Sequence, residues 1–140
     1  MIDIRFVREN PEAVRESQRK RGNSEESVDE LLAADEARRA ALLAFETARA
    51  SQKELSRSIG KASKEERPAI LAHAKQKKQE VEDLEKAAKA ADAAYTKANM
   101  AIQNIILPGI PAGGEDDYEV MRHVGDIPTF DFEPKDHLDV

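Results

Sequence analysis

The chain has 140 residues, of which 36% are charged and only 4% aromatic, with no Trp, too polar a composition for a thick globular core. It contains no Cys, which excludes disulfides, a thiolate metal site and a cysteine nucleophile. Asp3 and Arg5 interrupt the N-terminal segment and no apolar run of about 18 residues occurs, so a signal peptide and a membrane partner are not expected and a cytoplasmic location is.

Ile2–Val7 alternates enough to form a short extended or helical lead-in. Asn10-Pro11-Glu12 is a helix start: Asn10 can cap, Pro11 suits the first helical position, and Glu12 complements the helix N-terminus. This helix is expected to run to about Arg21 and stop at Gly22. Ser27-Val28-Asp29-Glu30 reads as a capping box that opens a long helix.

Two tracts, Ser27–Ile59 and Ile70–Ile105, carry matched apolar spacing. In the first, Leu31, Ala34, Arg38, Ala41, Phe45, Ala48, Gln52, Leu55 and Ile59 recur at alternating steps of three and four. In the second, Ile70, Ala74, Lys77, Val81, Leu84, Ala88, Ala91, Tyr95, Ala98, Ile102 and Ile105 do the same. Such a stripe keeps one helix face turned toward a partner helix. The connection around Gly60 is too short for a parallel return, so the tracts predict an antiparallel hairpin, each arm roughly 45–60 Å long at about 1.5 Å per residue. Ser63-Lys64-Glu65-Glu66 is a second capping-box pattern, which places Pro68 in the first turns of the returning helix. Arg38, Gln52 and Lys77 interrupt the seam and are read as register-setting or snorkelling residues, with Arg38 able to pair with an acid at the stalk base. That second helix is expected to continue until Pro108-Gly109.

Beyond it, Pro108–Gly114 is turn-rich and Glu115–Asp117 acidic. Tyr118–Val124 and Thr129–Phe132 are short strand candidates that need a body to lie against. The expected fold is therefore mainly α: a long two-helix coiled-coil arm with a short N-terminal helix and a C-terminal linker with a short β segment.

The net charge of −6 conceals an asymmetry. Lys53–Lys78 holds eight Lys and Arg against Glu54, Glu65 and Glu66, a net of +5 at the hairpin tip against −11 elsewhere. Composition by itself favours a solvated coiled-coil surface, and the acidic stretches at residues 25–30 and 115–117 are read the same way. His73 reads as an exposed helix residue near the tip, and His123 as decoration of a strand face. His137 beside Asp136 lacks a Ser, Cys or metal partner, and the three histidines are too far apart for a zinc site.

Several patches resemble one family in the right order along essentially the whole chain. The opening Met1–Val14, Leu32–Arg39 on the first arm, and Leu55–Gly60 near the tip resemble seryl-tRNA synthetases of the bacterial type. So do Asn104–Gly113 followed by Glu115, and Phe132-Glu133-Pro134-Lys135-Asp136-His137, which looks like the family's approach to its catalytic domain. One departure is Tyr118, where many relatives carry Asn. The resemblance implies an N-terminal tRNA-binding arm domain over residues 1–107, with the hairpin at about 27–107 and its tip at about 59–67. Residues 108–140 would be the linker and the start of a catalytic domain.

In this family the arm grips the long variable arm of serine tRNA, reading shape and phosphates more than bases. The parent would be a homodimeric class II enzyme that uses ATP and magnesium. The class II motifs and a Gly-rich phosphate loop are not found here, so this piece is expected to be a monomer without catalysis or cofactor of its own. The resemblance and the charge cluster together nominate Arg49, Lys53, Arg57, Lys61, Lys64, Arg67, Lys75 and Lys78 for RNA contact. The alternative is a coiled-coil module that binds a protein and not RNA; a dimeric four-helix assembly would need a second apolar stripe, which Leu32, Leu42, Leu43 and Leu71 supply only in part.

Overall fold

The computed structural model describes residues 2–60, 63–126 and 128–138. Four helices follow one another: α1 (Ile4–Glu9), α2 (Pro11–Lys20), α3 (Glu26–Ile59) and α4 (Arg67–Ala101). α3 and α4 have 34 and 35 residues and pack along each other as an antiparallel hairpin, each about 50 Å long at 1.5 Å per residue. Every seam residue named from the spacing is buried or half-buried, and the residues between them are mostly exposed. The many seam alanines are the best helix formers and allow the two axes to approach closely.

Two of the three interrupting residues, Arg38 and Lys77, have side-chain partners. Arg38 lays its guanidinium over the Tyr95 ring, 4.5 Å from the centroid, and donates from Nε to Asp92 Oδ1 at 2.7 Å. This is the acid at the stalk base that the sequence anticipates. Lys77 carries its ammonium out of the seam to Glu80 at 2.8 Å.

Large buried side chains concentrate at the base, where α1 and α2 fold against the open end of the hairpin. Val7, Val14, Val28, Leu31 and Ile102 form the core, with Ile2, Ile4, Leu32, Tyr95, Ala98 and Ile105 packed around it. α1 is the helical form of the expected lead-in, and Asp3 caps it by accepting from the Arg5 N–H at 2.9 Å. Asn10 does not cap α2 through its side chain, which donates instead to the Phe6 carbonyl, but Pro11 does open the helix. The stop at Gly22 is as expected: φ is 74°, the Gly22 N–H reaches Arg19 O and the Asn23 N–H reaches Gln18 O, both at 2.9 Å. That pair of bonds is a Schellman closure, and it favours glycine because the left-handed backbone disfavours a Cβ.

Two helix boundaries differ from expectation. α3 starts at Glu26 rather than with a box at Ser27–Glu30; Ser24 accepts from the Glu26 N–H at 3.1 Å, and the Ser27 hydroxyl donates to the Ser24 carbonyl at 2.7 Å. α4 ends at Ala101, short of Pro108, because tertiary bonds capture the following backbone. Gln18 donates to Gln103 O at 3.2 Å, Arg21 to Asn104 O at 3.2 Å, and the Ile106 N–H donates to Ser17 Oγ at 2.9 Å. Ile102 is left in extended backbone and buried against α2, so its apolar pattern continues without the helix.

The expected strands at Tyr118–Val124 and Thr129–Phe132 do not form; no strand occurs among the described residues. Tyr118, Val120, Met121, Val124, Phe130 and Phe132 are all exposed. Extended segments leave their backbone groups to water unless a neighbouring strand and an apolar support accompany them, and neither lies alongside.

One buried charge ties the base together. Asp35, 1% exposed, accepts from Arg8 at 2.8 and 2.9 Å and from Arg39 at 3.0 Å, linking α1 to α3. Burial pushes its carboxyl pKa up, but the bonds and charges of Arg8, then Arg39, outweigh burial and hold it below the ordinary carboxylate range. A folded pKa below the unfolded one gives stability that is complete above the unfolded value, about 4, and lost as pH falls through the folded value. Asp35→Asn is therefore expected to destabilise the chain at neutral pH by about 1–3 kcal/mol. The gap to the parent should shrink toward about pH 3. Urea melts at both pH values check this; a gap of the same size at both would contradict it.

Candidate nucleic-acid interface

The distal third of the hairpin is built by the end of α3, the start of α4 and the turn between them. Ser63 and Glu66 form the expected reciprocal cap: the Ser63 N–H and hydroxyl donate to Glu66 Oε2 at 3.1 and 2.8 Å, and the Glu66 N–H donates to Ser63 Oγ at 3.3 Å. The Ser63 hydroxyl and N–H depress the Glu66 pKa, so this carboxylate is committed to the turn. Arg67 then opens α4 with Pro68 in its first turn, where the missing N–H costs nothing.

Seven of the eight nominated cations lie in described residues, and all seven are exposed: Arg49, Lys53, Arg57, Lys64, Arg67, Lys75 and Lys78. Lys61 lies outside the described residues, as does Ala62 of the expected tip. Arg49 and Lys53 are one turn apart on α3, and with Glu46, Gln52 and Ser56 they line a shallow groove. The Arg49 guanidinium stands 6.0 Å from the centre of the Phe45 ring. Arg57 points off the back of α3, away from the seam, by its place two residues after Leu55 and two before Ile59. Lys64 sits in the turn before α4.

Most cations at the two ends of the stalk are treated differently. Toward the base, Arg8 and Arg39 bind Asp35, Arg15 binds Glu12 and Asp29, Arg19 binds Glu12 and Glu25, Arg38 binds Asp92, and Lys89 binds Glu85. Toward the tip, no ion pair among the described residues involves Arg49, Lys53, Arg57, Lys64, Arg67 or Lys75; Lys78 has only a loose contact to Glu82 at 3.8 Å, and Lys77, a seam residue, is paired with Glu80 at 2.8 Å. Unpaired cations on a rigid rod keep their hydration and their field, and an anion can claim them without first breaking an internal pair. Among the described residues no cluster of His, Asp and Glu could hold a metal ion, and no helix is long and apolar enough to cross a membrane.

Part of this arrangement escapes sequence reasoning. The stretch at residues 25–30 is more than a solvated acidic surface, because Glu25 and Asp29 hold α2 through Arg19 and Arg15. Asp35 carries little signal in the sequence beyond its four-residue spacing to Arg39. His73 is exposed, as expected.

The family model described as the seryl-tRNA synthetase N-terminal domain matches residues 1–106. The chain belongs to this family. It is 54% identical over 140 residues to a serine–tRNA ligase of Nocardia farcinica and 53% identical to one of Rhodococcus jostii, with 100% of the chain aligned and 33% and 34% of those proteins. A serine–tRNA ligase of Mycobacterium avium is 51% identical over the same span, 33% of its length. The chain thus spans about a third of the curated relatives it matches. In the seryl-tRNA synthetase N-terminal domain seen here, the small core sits at the base with α1 and α2, and Arg49, Lys53, Arg57, Lys64, Arg67 and Lys75, without an ion pair among the described residues, sit toward the far end of the lever.

Proposed function

We propose that this chain is the tRNA-binding arm of a serine–tRNA ligase, and that its distal hairpin grips the long variable arm of serine tRNA and orients it for aminoacylation. The observation that carries the reading is the set of exposed cations Arg49, Lys53, Arg57, Lys64, Arg67 and Lys75, free of ion pairs among the described residues, toward the end of an arm about 50 Å long. A stalk this long reaches far beyond its own core, and its free charges match a phosphate backbone. It offers no cluster of exposed aromatic rings at the tip on which bases could stack, which favours recognition by shape and charge. The names of the relatives support the same reading. On this account the parent protein is a cytoplasmic homodimer that activates serine with ATP and magnesium, and the arm by itself performs no chemistry.

The test is binding of the 140-residue chain to two tRNAs, one with a long and one with a short variable arm, as salt is raised. Tighter binding to the long-armed tRNA, weakening steeply with salt as counterions return to the phosphates, is expected. Equal binding of both, insensitive to salt, would instead support a coiled-coil module for a protein partner.

A further inference from the structure

The distal hairpin has two unlike faces, and the register of the seam assigns every residue to one of them. A side chain one position after a seam residue is rotated about 100° round its helix. Because the two helices run antiparallel and share a hand, the residues that follow seam positions on α3 and those that follow them on α4 come to the same side. The structure shows this meeting directly. Leu42, Glu85, Lys89 and Asp92, each one residue past a seam position, line one cleft with Arg38, Phe45 and Ala88. The Glu85 carboxyl, depressed first by its bond from Lys89, also feels the charge of Arg49 across the seam.

Followed toward the tip, this side carries Arg49, Lys53 and Ser56 from α3, and Leu71, Lys75 and Lys78 from α4. No carboxylate shares it until Glu46 and Glu82. Leu71, 54% exposed, stands among the cations and offers a ribose or base an apolar contact. The residues that precede seam positions form the opposite side: Thr47, Ser51, Glu54 and Ser58 from α3, and His73, Gln76, Glu80 and Asp83 from α4. That side has three carboxylates, and the cations that reach it are already engaged: the Lys77 ammonium lies 2.8 Å from Glu80 and the Lys86 ammonium 3.7 Å from Asp83.

We infer that RNA lies against only one face of the hairpin, the one bearing Arg49, Lys53, Lys75 and Lys78, because the other offers it the Glu54 carboxylate and, among the described residues, no Lys or Arg free of an ion pair. The inference rests on the tRNA-binding reading and adds the side on which the variable arm must pass. Unlike faces of this kind orient a polyanion as well as attract it, since a strand approaching from the wrong side finds carboxylates and no free cation. Arg57, on the back of α3, then makes at most an edge contact.

The chain has no Cys, so a single introduced thiol is unique. Ser56→Cys places one on the cationic face and Ser51→Cys one on the acidic face; both serines are exposed and off the seam, so the fold is retained. Each variant, coupled to a benzophenone maleimide, is irradiated with the long-armed tRNA at low salt. Severalfold more cross-linked tRNA from Ser56→Cys than from Ser51→Cys is expected. Equal yields, or more from Ser51→Cys, would overturn the choice of face while salt-dependent binding still upheld the RNA reading. No cross-link from either, with no salt-dependent binding, would overturn both.

Discussion

Leu31→Ala is expected to cost about 2–5 kcal/mol, a large part of the stability of a domain this size. Leu31 is fully buried and belongs, among the described residues, to the buried cluster at the base, together with Val7, Val14, Val28 and Ile102. These come from α1, α2, α3 and the segment after α4, so a cavity at Leu31 loosens every junction at once. Neighbouring elements have little freedom to collapse into the space, since α2 is fixed by the Schellman turn and by the bonds from Ser17 and Gln18 to the chain after α4. Leu43→Ala on the same helix is the internal control. Leu43 is 66% exposed, and its loss should change stability by no more than about 0.5 kcal/mol. Urea denaturation of the two variants measures both. Similar losses for the two leucines would mean that the base is not the core.

Both long helices were legible in the sequence because a two-helix seam writes itself as alternating steps of three and four, and even the polar interruptions at Arg38 and Lys77 keep that register. Gly22 and Ser63–Glu66 were legible for the same reason: their roles depend on backbone bonds within a few residues. What failed depended on distant partners. Ile102 and Ile105 extend the seam pattern past the true end of α4, and only Ser17, Gln18 and Arg21, more than 80 residues away in sequence, decide that the backbone there is extended. The alternation at Tyr118–Val124 is a real strand signal, but a strand needs a neighbour.

The candidate interface was half legible. Net charge by segment located the tip, yet a charge count treats Arg57 and Lys75 alike. Distinguishing them requires knowing that the helices run antiparallel and which residues flank the seam. That Arg8, Arg15, Arg19, Arg38 and Arg39 toward the base are paired, while Arg49, Lys53, Arg57 and Lys75 toward the tip have no ion pair among the described residues, appears only when distances are known. Arg38 stands out in the sequence as a seam residue able to pair with an acid, but only the structure names Asp92 as that acid and Tyr95 as the ring beneath it.

The largest functional effect is expected from the fourfold variant Arg49→Gln, Lys53→Gln, Lys64→Gln and Lys75→Gln. All four side chains are exposed and outside the seam, so the helical content and melting of the chain should remain near those of the parent. If each cation neutralises one phosphate, the slope of log affinity against log salt should fall by roughly three to four units. Between about 50 and 200 mM salt, that change in slope corresponds to roughly two orders of magnitude in affinity. The most direct measurement is this slope for parent and variant, taken with tRNAs of long and short variable arm. The account predicts a steep slope and a preference for the long arm in the parent, with both largely lost in the variant. A folded variant that keeps the parent's slope and its selectivity would contradict it.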